Sequence, residues 1–392
     1  MRLYKATYLS GNGPLVRILR EALARDQHGR GGTTLSEARR RSSTFVTNVH
    51  RWLDEYIDRA PDQAPLERLA VFDEAQRAWS RGHSKLKFDR DVSEPEMIPT
   101  AIDRHPDWAV VVALVGGGQE INTGEAGLSG WGRALETNFR HWRVAVSQDL
   151  LAGQETAVGS MLFETTPQYL GPQLTKDPDL HLSVSQRSYR TTHLNEWVEA
   201  LLANKPTEAA SIAAELENYR FGVTRDLGAA RNWLRSHARG FRRAGLVASS
   251  GARPLRPHGI RFDEAGWFLR DASDVRSSDF LELASTEFAI QGLELDWIGV
   301  CWGGGFRRSD KNWMFKRFVV SKWQNVNNHN VRNFVLNPYR VLLTRAGESL
   351  IVWGPQCSSD DQTRDPERYD EAFEYLKDAG MKEVTGARQE TS

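Results

Sequence analysis

The octet Leu69-Ala70-Val71-Phe72-Asp73-Glu74-Ala75-Gln76 constrains this chain more than any other stretch, because four apolar residues end on two adjacent carboxylates and a glutamine. An unbroken apolar run bounded by charge is the pattern of a strand buried on both faces, as in a parallel sheet. Carboxylates at the carboxyl end of such a strand stand where open α/β sheets place their ligands. A strand that simply runs into an acidic turn would give the same octet, so the surrounding chain has to decide between the two.

Ala6 to Leu9 read as an earlier strand that enters the turn Ser10-Gly11-Asn12-Gly13-Pro14, after which Leu15, Ile18, Leu19, Ala22 and Leu23 recur at helical spacing. The Gly/Arg/Ser-rich stretch 29–43 reads as a solvated loop, and Phe45, Val49, Trp52 and Tyr56 as the apolar stripe of a helix. Ala109 to Val115 is a further apolar strand, closed by Gly116-Gly117-Gly118-Gln119-Glu120, and Trp142 to Val146 is another candidate. Periodicity lapses over 151–178, which places a junction there between a first domain, 1–150, and a second, 179–385, with a polar tail at 386–392.

The second half repeats the alternation. His181 to Val184, Tyr219 to Thr224, Leu246 to Ala248, Trp297 to Trp302 and Leu350 to Trp353 read as strands. Asp226 is placed to cap a helix carrying Leu227, Ala230, Trp233 and Leu234. Strands alternating with helices in both halves predict an α/β fold of two domains with mainly parallel sheets.

Lys+Arg and Asp+Glu both number 51, so overall charge singles out no partner and any nucleic-acid surface must come from local clustering. Two clusters stand out. Arg220 to Arg261 holds ten arginines against one acid, Asp226, with Tyr219, Phe221, Trp233 and Phe241 interleaved. Gly305 to Arg340 holds Lys316, Arg317 and Lys322 among other cations, with Phe306, Trp313, Phe315, Phe318 and Trp323 between them. Cations mixed with aromatics suit a groove for single-stranded nucleic acid with stacking platforms; a solvated basic face over core aromatics is the plainer alternative. Cys301 and Cys357 form no CxxC pair, in keeping with reduced thiols of a cytoplasmic protein. No apolar run approaches the roughly 18 residues of a membrane span, so no membrane partner is expected.

Six segments fall in one order: Leu9 to Leu15; Val71 to Gln76; Ala113 to Glu120; Val184-Ser185-Gln186-Arg187-Ser188-Tyr189-Arg190; Ala289-Ile290-Gln291-Gly292-Leu293-Glu294; and Tyr339 to Ala346. The series resembles motifs Ia, II, III, IV, V and VI of superfamily I DNA/RNA helicases, and most closely the Schlafen-group-3-like helicase domain family of bacterial proteins. The resemblance implies two RecA-like domains with ATP and Mg²⁺ as cofactors. It makes Asp73 the Mg²⁺ ligand, Glu74 the general base on the attacking water, and Gln76 a neighbouring nucleotide contact. It likewise makes Gln119 the γ-phosphate sensor, Arg187 the motif IV arginine, Arg345 the arginine finger and Glu294 the ribose contact. Ser10, Gly11 and Asn12 would lie near the nucleic-acid backbone, with Lys316, Arg317 and Lys322 as further contacts. Phosphoryl transfer needs charge stabilisation more than covalent chemistry, and these are the side chains that supply it. Taken singly, Arg345 could be a salt-bridged residue at an element's end, Gln119 a turn cap and Glu294 a surface acid.

One part of that machinery is missing. No G-x-x-x-x-G-K-[ST] phosphate loop occurs in the sequence. The resemblance places the loop's strand and helix just before Ala6, so it implies a first domain lacking both, with a gap in its sheet. An upstream segment or another polypeptide would supply them. The expected function is the motor portion of an ATP-dependent helicase or translocase acting on single-stranded DNA or RNA, deficient in ATP hydrolysis alone. A non-hydrolysing nucleic-acid-binding or regulatory module is the alternative.

Overall fold

In the computed structural model the described residues are 5–116, 124–151, 161–163, 165, 167–171, 173–181, 189–216, 219–238, 242–262, 267–270, 272–290, 293, 295–320, 322–358, 360 and 369–385. The chain divides into two compact units, Met1–Val184 and Ser185–Ser392.

The first unit is built on strands β1 (Lys5–Ser10), β2 (Val46–Asn48), β3 (Glu67–Asp73) and β4 (Val110–Ala113), in the order β2-β1-β3-β4. All neighbours are parallel, with Leu9 opposite Phe72 and Ser10 opposite Asp73. Leu9, Ala70 and Phe72 are buried, as the apolar octet requires. Parallel strands need crossovers. The first is the helix Gly13–Gly29, which Asn12 starts by accepting the Leu15 amide on its side chain.

The stretch expected as a loop over 29–43 is largely a helix, Leu35–Phe45. Thr34 caps it through the Glu37 amide, Ala38 and Ser42 are buried, and Arg39 pairs with Glu21 of the preceding helix. Its Ser/Arg composition hides an ordinary one-sided helix with only a narrow buried face. The apolar stripe beginning at Phe45 is also interrupted, since Val46–Asn48 forms β2 before the chain turns helical at Val49.

Strands β5 (Val144–Val146) and β6 (Leu174–Lys176) pair in parallel as a separate two-stranded sheet. The first unit thus holds two separate sheets that share one core: Val144 and Val146 belong to the cluster of Leu9, Phe72 and Ile98, against which Val111 and Val115 pack. Among the described residues β4 pairs on one side only. One face stays open, with Val110 43%, Val112 37% and, just past the strand, Leu114 38% exposed, while Val111 of the other face packs against the core.

The second unit carries β7 (Arg220–Thr224), β8 (Ala244–Ala248), β9 (Arg261–Phe262), β10 (Leu283–Thr286), β11 (Leu295–Cys301), β15 (Ala346–Trp353) and β16 (Lys382–Glu383). They form one seven-stranded parallel sheet in the order β16-β7-β15-β11-β8-β10-β9. Asp226 caps the helix Leu227–His237 by accepting the Gly228 amide, as the sequence predicts. Gly299 lets that helix approach β11, because a Cβ there would sit 2.9 Å from Leu234. Between β11 and the helix His329–Leu343 lies an antiparallel sheet of β12 (Phe306–Ser309), β13 (Asn312–Val319) and β14 (Lys322–Asn325). Phe306 and Trp313 stack at 4.2 Å and tie it to the core beside Trp302 and Tyr339.

Candidate functional site

The carboxyl ends of β1, β3 and β4 bring one polar cluster together. β3 runs straight to Asp73, and Glu74 then takes a left-handed backbone, φ 53° and ψ 47°, which turns the chain off the sheet. A non-glycine residue rarely adopts this conformation, and it costs about 1–2 kcal/mol. The Ala75 amide donates to the Leu114 carbonyl at 2.8 Å and the Trp131 indole donates to the Ala75 carbonyl at 2.8 Å, so surrounding structure fixes the bend.

Gln76 is buried and joins two strand ends. Its Nε2 donates to Glu74 Oε2 at 2.6 Å, and its Oε1 accepts the Gly116 amide at 3.1 Å. Asp73 accepts from the Tyr8 hydroxyl, which burial and the Asp73 carboxylate together hold far above the ordinary phenol range. Tyr8 therefore stays protonated as a donor. Sequence reasoning missed it, although it precedes Ser10 by two residues and so shares its face of β1.

Ser10, Gly11 and Asn12 also lie at this rim. Ser10 is buried and accepts the Asn12 amide on its hydroxyl at 3.2 Å. Asn12 Oδ1 accepts the Leu15 amide at 3.2 Å, and Pro14 has no amide hydrogen. Asn12 thus takes up the Leu15 amide on its side chain and the Val16 amide on its carbonyl, two donors that a phosphate loop would turn toward its ligand.

The remaining expected residues divide. Gln119, Arg187 and Glu294 lie outside the described residues. Arg345 occupies the turn between the helix His329–Leu343 and β15, is 2% exposed, and accepts the Leu295 amide on its carbonyl at 3.3 Å. It stands at the amino end of β15, away from the strand ends at Trp353. Lys316, Arg317 and Lys322 belong to the β13–β14 hairpin and make no ion pair among the described residues.

The two basic clusters come apart in the structure. In the first, Arg225 pairs with Asp370, Arg231 with Glu282, Arg242 with Glu348 and Arg243 with Asp279. Their partners are distant in sequence, so a local charge count overstates the positive face. Arg225 also lines an open pocket of about 520 Å³ with Asp226, His258 and Trp353, at the carboxyl ends of β7 and β15. Its guanidinium donates to the Pro355 carbonyl at 2.9 Å and stacks over Phe373 at 4.3 Å. No motif marked this pocket.

A single carboxylate with phosphate oxygens suffices for Mg²⁺, which keeps several waters. Asp73 is a carboxylate of that kind, and among the described residues no cluster of three metal-ligating side chains occurs. No helix described is long and apolar enough to cross a membrane.

The family model for the Schlafen group 3 DNA/RNA helicase domain matches residues 2–356. No curated protein matches the chain. Among solved structures it is similar to Mss116p bound to ssRNA and AMP-PNP, at 10% identity and TM-score 0.31, over 90% of this chain and 59% of that one. It is also similar to the Mycobacterium smegmatis helicase Lhr bound to ssDNA and AMP-PNP, at 12% identity and TM-score 0.31, over 97% of this chain and 43% of that one. The chain thus spans roughly half the length of these two proteins.

Proposed function

The chain belongs to the Schlafen group 3 DNA/RNA helicase domain family, and from that membership we propose that it is the motor portion of an ATP-dependent helicase or translocase of the cytoplasm, acting on single-stranded DNA or RNA. The observation that carries the reading is the cluster at the end of β3, where Asp73, Glu74, Gln76 and Gly116 meet at one rim. Asp73 would hold Mg²⁺, whose charge would stabilise the developing negative charge on the phosphate oxygens. Glu74 would orient and deprotonate the attacking water, with Gln76 fixing one of its carboxylate oxygens. Gln119, Arg187, Glu294 and Arg345 are proposed to act on the nucleotide as the family's motifs do, and Ser10, Gly11, Asn12, Lys316, Arg317 and Lys322 to contact the nucleic-acid backbone. The domain limits 1–150 and 179–385 belong to the same reading.

The self-capped start of the helix Gly13–Gly29 and the lack of a phosphate-loop motif support a chain that hydrolyses ATP poorly by itself. The test is hydrolysis by the chain joined behind a strand, a G-x-x-x-x-G-K-[ST] loop and a helix. Mg²⁺-dependent hydrolysis, stimulated by single strands and reduced about 10²–10⁴-fold by Glu74→Gln, is expected. No hydrolysis by the joined chain, with single-strand binding intact, would favour the non-hydrolysing module.

A further inference from the structure

The pocket beside Arg225 lies where the second sheet changes direction. From β7 the chain passes through the helix Leu227–His237 to β8, toward the β9 edge. From β15 it passes through the helix Asp370–Asp378 to β16, at the opposite edge. The two helices cover opposite faces. Ala230 and Leu234 of the first share a core with Ile351 and Trp353, whereas Phe373 and Leu376 of the second share one with Leu350 and Val352. Neighbouring strands whose connections part in this way leave a crevice at their carboxyl ends, and open α/β sheets bind ligands there. β7 and β15 are such neighbours, and the pocket of about 520 Å³ is their crevice. That volume suits a small molecule or one nucleoside of a longer chain.

The lining selects among ligands. The Arg225 guanidinium is already engaged by the Pro355 carbonyl, the Asp370 carboxylate and the Phe373 ring. Asp226 carries the opposite charge: its Oδ1 accepts the Gly228 amide at 2.7 Å, and the carboxylate makes no ion pair among the described residues. A phosphate here would face that negative charge, and Arg225 could turn to it only by giving up Asp370. A neutral, planar group with donors along one edge fits instead. Trp353 and Pro355 supply apolar wall, and His258 and Gln356 supply further hydrogen-bonding atoms.

An ionised carboxylate only accepts hydrogen bonds. Guanine alone among the bases carries two adjacent donors, N1–H and the 2-amino group, on its pairing edge. Adenine and cytosine set one amine beside a ring nitrogen that accepts, and thymine and uracil set a single N–H between two carbonyls.

We propose that this pocket takes a guanine base of a single strand, with Asp226 accepting from N1–H and the 2-amino group. The proposal rests on the nucleic-acid reading above and adds a base preference, which backbone contacts cannot supply. It is tested by fluorescence anisotropy on the full chain, without nucleotide, with a short all-thymine strand and the same strand carrying one central guanine, hypoxanthine, adenine or cytosine. The guanine strand should bind about tenfold tighter than the adenine and cytosine strands. Hypoxanthine keeps N1–H but lacks the amino group, and should gain only about threefold. Asp226→Asn keeps the helix cap, since asparagine caps as well as aspartate, but gives the edge a donor. It should abolish the guanine preference while holding affinity for the all-thymine strand within about twofold.

Equal affinity for all the strands, or a guanine preference that survives Asp226→Asn, would overturn the base pocket and leave the nucleic-acid reading standing. A variant that loses the all-thymine strand as well would also overturn it, by making Asp226 a general contact. Free guanosine monophosphate bound as tightly as the guanine strand would overturn it by making the pocket a mononucleotide site. Absence of binding to every strand at low salt would overturn both readings.

Discussion

The two parallel sheets treat similar apolar runs in opposite ways. In the second unit β8 is buried along its whole length, and β11 and β15 are flanked on both sides. That sheet ends on β16 and β9, two residues each, carrying Lys382, Glu383 and Arg261. Short, charged edges resist pairing with other chains. In the first unit one edge among the described residues is β4, Val110-Val111-Val112-Ala113, with no charge and with Val110 and Val112 exposed. An apolar run states that a strand is suited to burial; it does not state that a neighbour is present.

That contrast can be broken most directly in the second sheet. Ile298→Ala, at a fully buried position on β11, should cost about 2–5 kcal/mol in chemical denaturation. A loss below about 1 kcal/mol would mean that this sheet is no better packed than the open edge.

The hairpin tip should respond in the reverse direction. Val320→Gly should raise stability by about 1 kcal/mol, since it removes the penalty of a left-handed backbone, φ 56° at Val320, and a lowered melting temperature would show that the valine packs rather than protrudes. On β4, Val112→Lys should change stability by no more than about 0.5 kcal/mol. It should nonetheless reduce self-association measured by light scattering at high concentration, and unchanged association would clear the β4 edge as the adhesive surface.

The smallest effect concerns a thiol. Burial pushes Cys301, at the end of β11, up to about 12. Relative to an ordinary thiol it holds about a thousandfold less thiolate at pH 8, so native protein should resist iodoacetamide at Cys301 until unfolded. Prompt labelling would show that the end of β11 opens readily.

The parallel strands and the Asp226 cap were legible because apolar runs and capping residues act locally. The β12–β14 sheet was not. Its strands mix Lys and Arg with aromatics, and no Asn-Gly or Asp-Gly signal stands between β13 and β14. The helix Leu35–Phe45 was hidden by its serines and arginines, since only Ala38 and Ser42 are buried. At the candidate site, Asp73, Glu74 and Gln76 could be read from one octet, whereas Tyr8 and Gly116 join them only through strand register. The arginines of the first basic cluster misled for the same reason, since Arg225 meets Asp370 and Arg242 meets Glu348 across more than a hundred residues of sequence.

Gln76 gives the carboxylate cluster a handedness. Its amide can be oriented only one way, since nitrogen must face Glu74 and oxygen must face the Gly116 amide hydrogen. An amide does not titrate, so Gln76 keeps the same donor and acceptor whatever the pH. It holds Oε2 of Glu74 and leaves Oε1 outside this clamp. The orientation of the carboxylate is thus set by an uncharged neighbour, before any ligand is bound.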